Sequence, residues 1–216
     1  MRIKYWLFCF LLCAGNAGAQ GFKPIWAVGV NPFSPVESLS SLGPSASLRV
    51  SPGFELWAEG SFIFHNLYGI ANWDRVRGYR FIFQPRLFMG AERRFFLAPE
   101  LRIKRFSYGV SLPFINETTA DTLYGFYHKA RQFQIGGALV MGVRTVLSEK
   151  HRLYMETTAG VGGRQRFIRR IGIPSGYAYT PVTGGWGLSP HYEWHKEGLP
   201  YFPIGFRLIW LLAEPD

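Results

Sequence analysis

Between Ser45 and Phe64 two kinds of side chain alternate, residue by residue, on both sides of a Ser51-Pro52-Gly53 break. Ala46, Leu48, Val50, Phe54, Leu56, Ala58, Phe62 and Phe64 form one set. Ser45, Ser47, Arg49, Glu55, Glu59 and Ser61 fall in the other. Successive side chains on a strand point to opposite faces, so this stretch predicts a hairpin with one apolar and one polar face. In a soluble sheet the apolar face would be the core. The rest of the chain decides what that face meets here.

The first residues predict a targeting segment. Arg2 and Lys4 precede an apolar run from Trp6 to Ala14, and Ala17-Gly18-Ala19 supplies small residues for cleavage. The reading is a secretory signal over residues 1–19, cut after Ala19, followed by one domain over 20–216. The apolar run is too short to span a bilayer, which takes ~20 residues. Neither Cys9 nor Cys13 follows the small residue that a lipoprotein signal needs. Both cysteines lie in the segment expected to be removed, so no disulfide or thiolate metal site is expected. Losing Arg2 and Lys4 takes the net charge from +10 to +8. The aromatic share is 17%. An exported, cysteine-free, aromatic-rich chain of period-two strands suggests a bacterial outer-membrane barrel.

Eight strands follow from the pattern. They are Ile25–Asn31, Ser45–Val50, Phe54–Phe64, Arg77–Phe88, Phe95–Phe106, Ala130–Val146, His151–Arg164 and Tyr201–Leu211. Their connections alternate long and short. The long ones are a proline- and serine-rich stretch to Leu42, His65–Asp74, Ser107–Tyr124 and Gln165–Pro200. The short ones lie at Ser51–Gly53, Gly90–Arg93 and Ser148–Lys150. Transmembrane barrels sort loops this way, with short periplasmic turns and longer outer loops. The fold class expected is all-β: an eight-stranded antiparallel up-and-down transmembrane β-barrel.

In such a barrel the apolar face meets lipid and the polar face fills the lumen, which eight strands leave just wide enough for side chains. Buried charge must be paired. The inward set is read as Arg49, Glu55, Glu59, Arg80, Arg86, Glu100, Arg102, Arg144, Glu156 and Arg207, with Lys104 and Arg152 adding to a positive excess. At the tight turns, Val50 facing Phe54 would set Arg49 opposite Glu55. Phe88 facing Phe96 would set Gln84 opposite Glu100 and Pro85 opposite Pro99. Two facing prolines remove amide donors, so a local bulge or weak seam is expected there.

The signal, the eight strands, the sorted loops and an aromatic-ended last strand resemble the small outer-membrane barrels of Gram-negative bacteria, such as the transmembrane part of outer-membrane protein A. The resemblance is architectural and runs from Gly21 to Trp210. It implies a monomer in the outer membrane, in contact with membrane lipid including lipopolysaccharide. It also implies the outer-membrane assembly machinery as a partner during biogenesis, with no cofactor and no nucleic acid. Such barrels often end on an aromatic residue, whereas Trp210 here is followed by Leu-Leu-Ala-Glu-Pro-Asp.

Chemistry-bearing motifs are sparse. Some barrels of this size modify outer-leaflet lipid, which needs a His with Ser or an acid in reach. His65 and His128, with Glu117, fall near a plausible upper rim, and His191 and His195 in the last long connection. None stands in a His-x-Ser arrangement, and no catalytic residue is assigned. His191 and His195 lack a third metal ligand. Asn116-Glu117-Thr118 and Asp121-Thr122-Leu123 match short glycan-acceptor patterns. The candidate binding group is Arg164, Arg166, Arg169 and Arg170, whose guanidinium forks suit phosphate. Arg164 and Arg166 are expected to emerge at the outer headgroup level with Arg169 and Arg170 beyond it, a cluster gripping lipid phosphate, against the alternative of a solvated hairpin extension or nonspecific charge. The leading function is a non-enzymatic barrel acting through its outer loops. The alternatives are a lipid acyltransferase or deacylase and a soluble periplasmic carrier barrel.

Overall fold

The computed structural model describes residues 23–32, 40–65, 73–90, 92–116, 118–179 and 194–212. The expected signal segment lies outside them. Every regular element among the described residues is a strand: β1 (Ile25–Val30), β2 (Ser40–Leu42), β3 (Pro44–Ser51), β4 (Phe54–His65), β5 (Trp73–Met89), β6 (Phe95–Asn116), β7 (Thr122–Ser148), β8 (Leu153–Ile171), β9 (Tyr177–Tyr179), β10 (Trp194–Tyr201) and β11 (Ile204–Leu211). Strands β3 to β8 pair in sequence, β8 pairs β11, β11 pairs β1, and β1 pairs β3, all antiparallel. The sheet therefore closes in a ring of eight positions. β2 lies beside the end of β4, β10 continues β11 along β8, and β9 adds to the end of β6.

The tight returns at Pro52-Gly53, Gly90–Arg94 and Glu149–Arg152 share one end of the ring, here called basal. Gly90 takes φ +80, a left-handed conformation that glycine adopts without a steric cost. Arg152 sits in the third return with φ +50, so it belongs to a turn and not to the interior set expected for it.

The distal end differs from the expectation. The stretch expected as a loop from Ser107 to Tyr124 is mostly strand, because β6 runs for 22 residues and β7 for 27. Pro113, Asn116 and Asp121 made that stretch look irregular. Pro113 is accommodated by a register shift between Leu112 and Phe114, a bulge that spares the ladder a missing amide. Asn116 closes the turn, its Oδ1 accepting from the Thr118 and Thr119 amides at 2.9 and 3.1 Å. β10 likewise occupies part of the expected last loop. The ring is uneven: β1 and β3 have 6 and 8 residues, and β6 to β8 stand well beyond them.

Register agrees with the turn arithmetic except at one residue. Arg49 faces Glu55, but Ser51 faces Phe54 and Val50 is the extra residue of a bulge. Between β5 and β6, Phe88 faces Phe96 and Phe83 faces Leu101. The ladder is unpaired between Leu87–Leu97 and Phe83–Leu101, where Pro85 comes opposite Pro99. The seam is thus a gap in hydrogen bonding with no slip in register. Pro85 and Pro99 keep Leu56 and Leu139 as neighbours on their other sides.

Candidate functional site

The interior has two layers. In the basal layer Glu55 on β4 and Glu156 on β8 stand four positions apart whichever way the eight-membered ring is followed, that is, on opposite walls. Arg86 from β5 and Arg144 from β7 bridge them. Arg86 Nη1 donates to Glu55 Oε1 at 2.9 Å and to Glu156 Oε1 at 3.1 Å. Arg144 donates from Nη2 and Nη1 to the two Glu55 oxygens at 2.8 and 3.1 Å, and from Nε to Glu156 Oε1 at 2.8 Å. Arg49 reaches Glu55 Oε2 at 3.5 Å. Arg86 and Glu156 are each 0% exposed, so this layer is filled across its diameter by charged side chains. Two carboxylates sharing forked donors meet the pairing that buried charge requires.

Aromatic rings hold the guanidinium planes. Arg86 lies between Trp57 at 4.7 Å and Phe96 at 4.6 Å, and Arg49 and Arg144 each sit 4.8 Å from Phe88. Arg207 lies 4.0 Å from the Trp57 ring. A ring face attracts a cation most where water is excluded. Phe96 fits only because its partner on β7 is Gly142, where a Cβ would stand 2.2 Å from the ring. Trp57, Phe88 and Phe96 were not assigned to the interior from sequence. Their parity with Glu55, Arg86 and Glu100 was the signal that could have found them.

The network crosses the proline seam by side chains. Gln84 Oε1 accepts from Arg86, and Gln84 Nε2 donates to Glu100 Oε2 at 2.7 Å. Glu100 Oε1 also accepts from Arg102 at 3.0 Å and from the Tyr201 hydroxyl at 3.1 Å. A neighbouring set pairs Arg80 with Glu59 at 2.7 Å, and Ser61 with the same oxygen at 2.8 Å. Arg207 approaches Glu59 at 3.8 Å. The interior residues read from sequence are thus brought together, Arg49 at the basal edge.

The distal layer is apolar. Ile63, Val76, Phe106, Tyr108, Val110, Ala130 and Ile168 form one buried cluster, with Trp73 and Leu112 packed against it. Trp73 stacks on Tyr108 with centroids 4.1 Å apart. Strand β6 passes through both layers without a shift of register at the boundary. Its inward residues are Glu100, Arg102 and Lys104, then Phe106, Tyr108 and Val110. Outward it carries Leu97, Pro99, Leu101 and Ile103, then Arg105. The hydrophobic alternation therefore changes phase at Lys104–Arg105. Taking the stretch after Phe106 as a loop hid that change.

The four candidate arginines do not form one cluster. Arg164, Arg166 and Arg170 share the parity of the buried Glu156 and Ile168, whereas Arg169 lies on the outer face with Phe167. Alternation along β8 separates residues that sequence distance seemed to gather. Arg164 lies 6.0 Å from the Tyr201 ring, whose other cation is Arg102 at 4.9 Å.

His128 is buried in the distal layer. Its ring meets Phe114 edge-on at 5.0 Å, and its Nδ1 lies 3.3 Å from the Phe126 carbonyl. Burial, with Arg170 nearby, holds its pKa below the usual imidazole value. Among the described residues no hydroxyl or carboxylate bonds its Nε2. Glu117 and His191 lie outside the described residues, as do the side chains of His65 and His195. Among the described residues no three potential ligands gather as a metal site would need. No protein-family model matches the chain, and neither does any curated protein or solved structure.

Proposed function

We propose that the chain is an eight-stranded outer-membrane β-barrel with an occluded lumen, acting as a structural or interaction protein through its distal end. One observation carries this reading: the basal part is inverted relative to a soluble sheet. Glu55, Arg86, Arg144 and Glu156 are buried, while Trp26, Phe62, Phe81, Leu87, Phe95, Leu101, Leu139 and Met141 are exposed on the wall. An apolar exterior of this extent in water would be an aggregation liability, whereas lipid is its natural solvent. A soluble carrier barrel needs the opposite placement and an interior cavity. The filled basal layer argues against a pore.

The test is fractionation with unboiled and boiled gel samples, followed by planar-bilayer recording. The expected outcome is outer-membrane recovery, a heat-dependent mobility shift and no steady conductance. Recovery in the soluble periplasm would defeat the membrane reading, and a stable conductance would defeat the occluded lumen.

A further inference from the structure

The wall carries a feature that the interior does not use. Where the alternation changes phase, two adjacent outward rows cross β5 to β8. One row is Tyr79, Arg105, Phe133 and Phe167, and the next is Arg77, Ser107, Arg131 and Arg169. Neither row contains a carboxylate. Tyr79, Arg105, Arg131, Phe133, Phe167 and Arg169 line one groove of about 510 Å³. The Phe133 and Phe167 centroids are 6.0 Å apart between the flanking arginines.

Two strand positions basal to this groove the wall becomes a trough. Its lining includes Leu101, Ile135, Gly137, Gly163, Arg164 and Gly198, and its volume is also about 510 Å³. A Cβ at Gly163 or Gly198 would meet nothing within 4 Å, and at Gly137 the nearest atom would be 3.8 Å away. The missing side chains therefore leave open wall, since a Cβ would fit there without a clash.

The height is right for a headgroup. Arg105 lies ten residues beyond the exposed basal Phe95. At ~3.4 Å per residue and a tilt near 45° that is roughly 24 Å, the height of an apolar band of ~25 Å. The phase change in the interior marks the same level independently. Charge above and an apolar trough below, in line with the wall, match an amphiphile. A phosphopeptide or nucleic acid would have no use for the trough.

We propose that this groove and trough bind a phosphorylated lipid of the surrounding leaflet. Arg105, Arg131 and Arg169 take the phosphate, and one acyl chain lies along Gly137, Gly163 and Gly198. The proposal rests on the membrane reading above. Guanidinium forks supply the geometry that phosphate selects.

The test uses the full folded chain in phosphatidylcholine nanodiscs, with bisphosphorylated lipid A as probe. Arg105→Gln/Arg131→Gln/Arg169→Gln is expected to retain the heat-dependent mobility shift and to lose about tenfold in probe affinity. The interior-facing Arg166→Gln, which lines neither groove nor trough, is expected to bind as wild type. Gly137→Leu/Gly163→Leu, which fills the trough and leaves the arginines, is expected to weaken the acylated probe by about threefold. Inorganic phosphate at the probe's concentration is expected not to compete. Wild-type affinity in the triple variant, or competition by phosphate alone, overturns the lipid site while leaving the barrel intact. A wild-type chain that does not enter nanodiscs overturns the membrane reading itself.

Discussion

The basal and distal layers of the interior are built from the same strands and obey opposite rules. On β6, Glu100 and Arg102 point inward below, and Phe106, Tyr108 and Val110 point inward above. In the proposed orientation the surroundings of the wall explain the difference. Where lipid covers the outside, the inside holds the polar side chains and must pair them. Where water covers the outside, the inside can be an ordinary apolar core. One sheet can do both because parity depends only on chain position, while the choice of apolar parity is free to change along the strand. The arginine rows mark the level at which it changes.

The largest expected effect comes from the basal layer. Glu156→Leu strips Arg86 and Arg144 of a shared partner, and breaking a buried pair costs about 3–5 kcal/mol. Unfolding by urea in detergent micelles should show the loss. A neutral result would mean that the charges are hydrated and the layer is not a packed plug. Next comes the wall. On the membrane reading proposed above, Leu139→Arg would lie mid-bilayer and should cost about 2–4 kcal/mol, whereas at the exposed Tyr124, beyond the arginine rows, Tyr124→Arg should cost little. Equal costs would erase the proposed boundary.

The distal core should respond more mildly and more locally. Ile168→Val is expected to cost about 0.5–1.5 kcal/mol. Amide exchange should quicken in the β6–β7 extension while the basal amides keep their protection. Uniform quickening would show that the two layers unfold as one.

The smallest effect is a pH dependence of the extension. The folded His128 pKa lies below the unfolded value of about 6.5, so the unfolded state binds the extra proton. Stability is therefore full above that unfolded value and falls as pH drops through it toward the lowered folded pKa. Amide protection of β6–β7 should decline from pH 7.5 to 5, and His128→Phe should flatten the decline. An unchanged profile in that variant would assign the effect to other groups.

Much of the basal architecture was legible because period two needs no tertiary information. Glu55, Arg86 and Glu156 could each be assigned to a face from their neighbours alone. The Pro85–Pro99 seam followed from counting back from a tight turn. The distal extension was not legible, since Pro113 resembles loop chemistry until a bulge is seen to absorb it. The division of the candidate arginines between two faces was hidden for a related reason. Arg164, Arg166, Arg169 and Arg170 are close in sequence, but a strand sends their side chains to two faces, and Arg169 alone of the four has outward parity. Its companions Arg105 and Arg131 come from strands that sequence distance keeps apart.

By itself the sequence determined which residues share a face within each basal strand segment, where the chain makes its tight basal returns, and that the polar face carries both signs of charge. Those properties are local: they follow from the strand's geometry and from the conformational limits of glycine and proline. Only the tertiary structure decided that Glu55 and Glu156 meet the same two arginines, that Trp57 and Phe96 sandwich Arg86, and that Arg105, Arg131 and Arg169 adjoin. Each depends on the closure and register of the whole ring, which no single strand encodes.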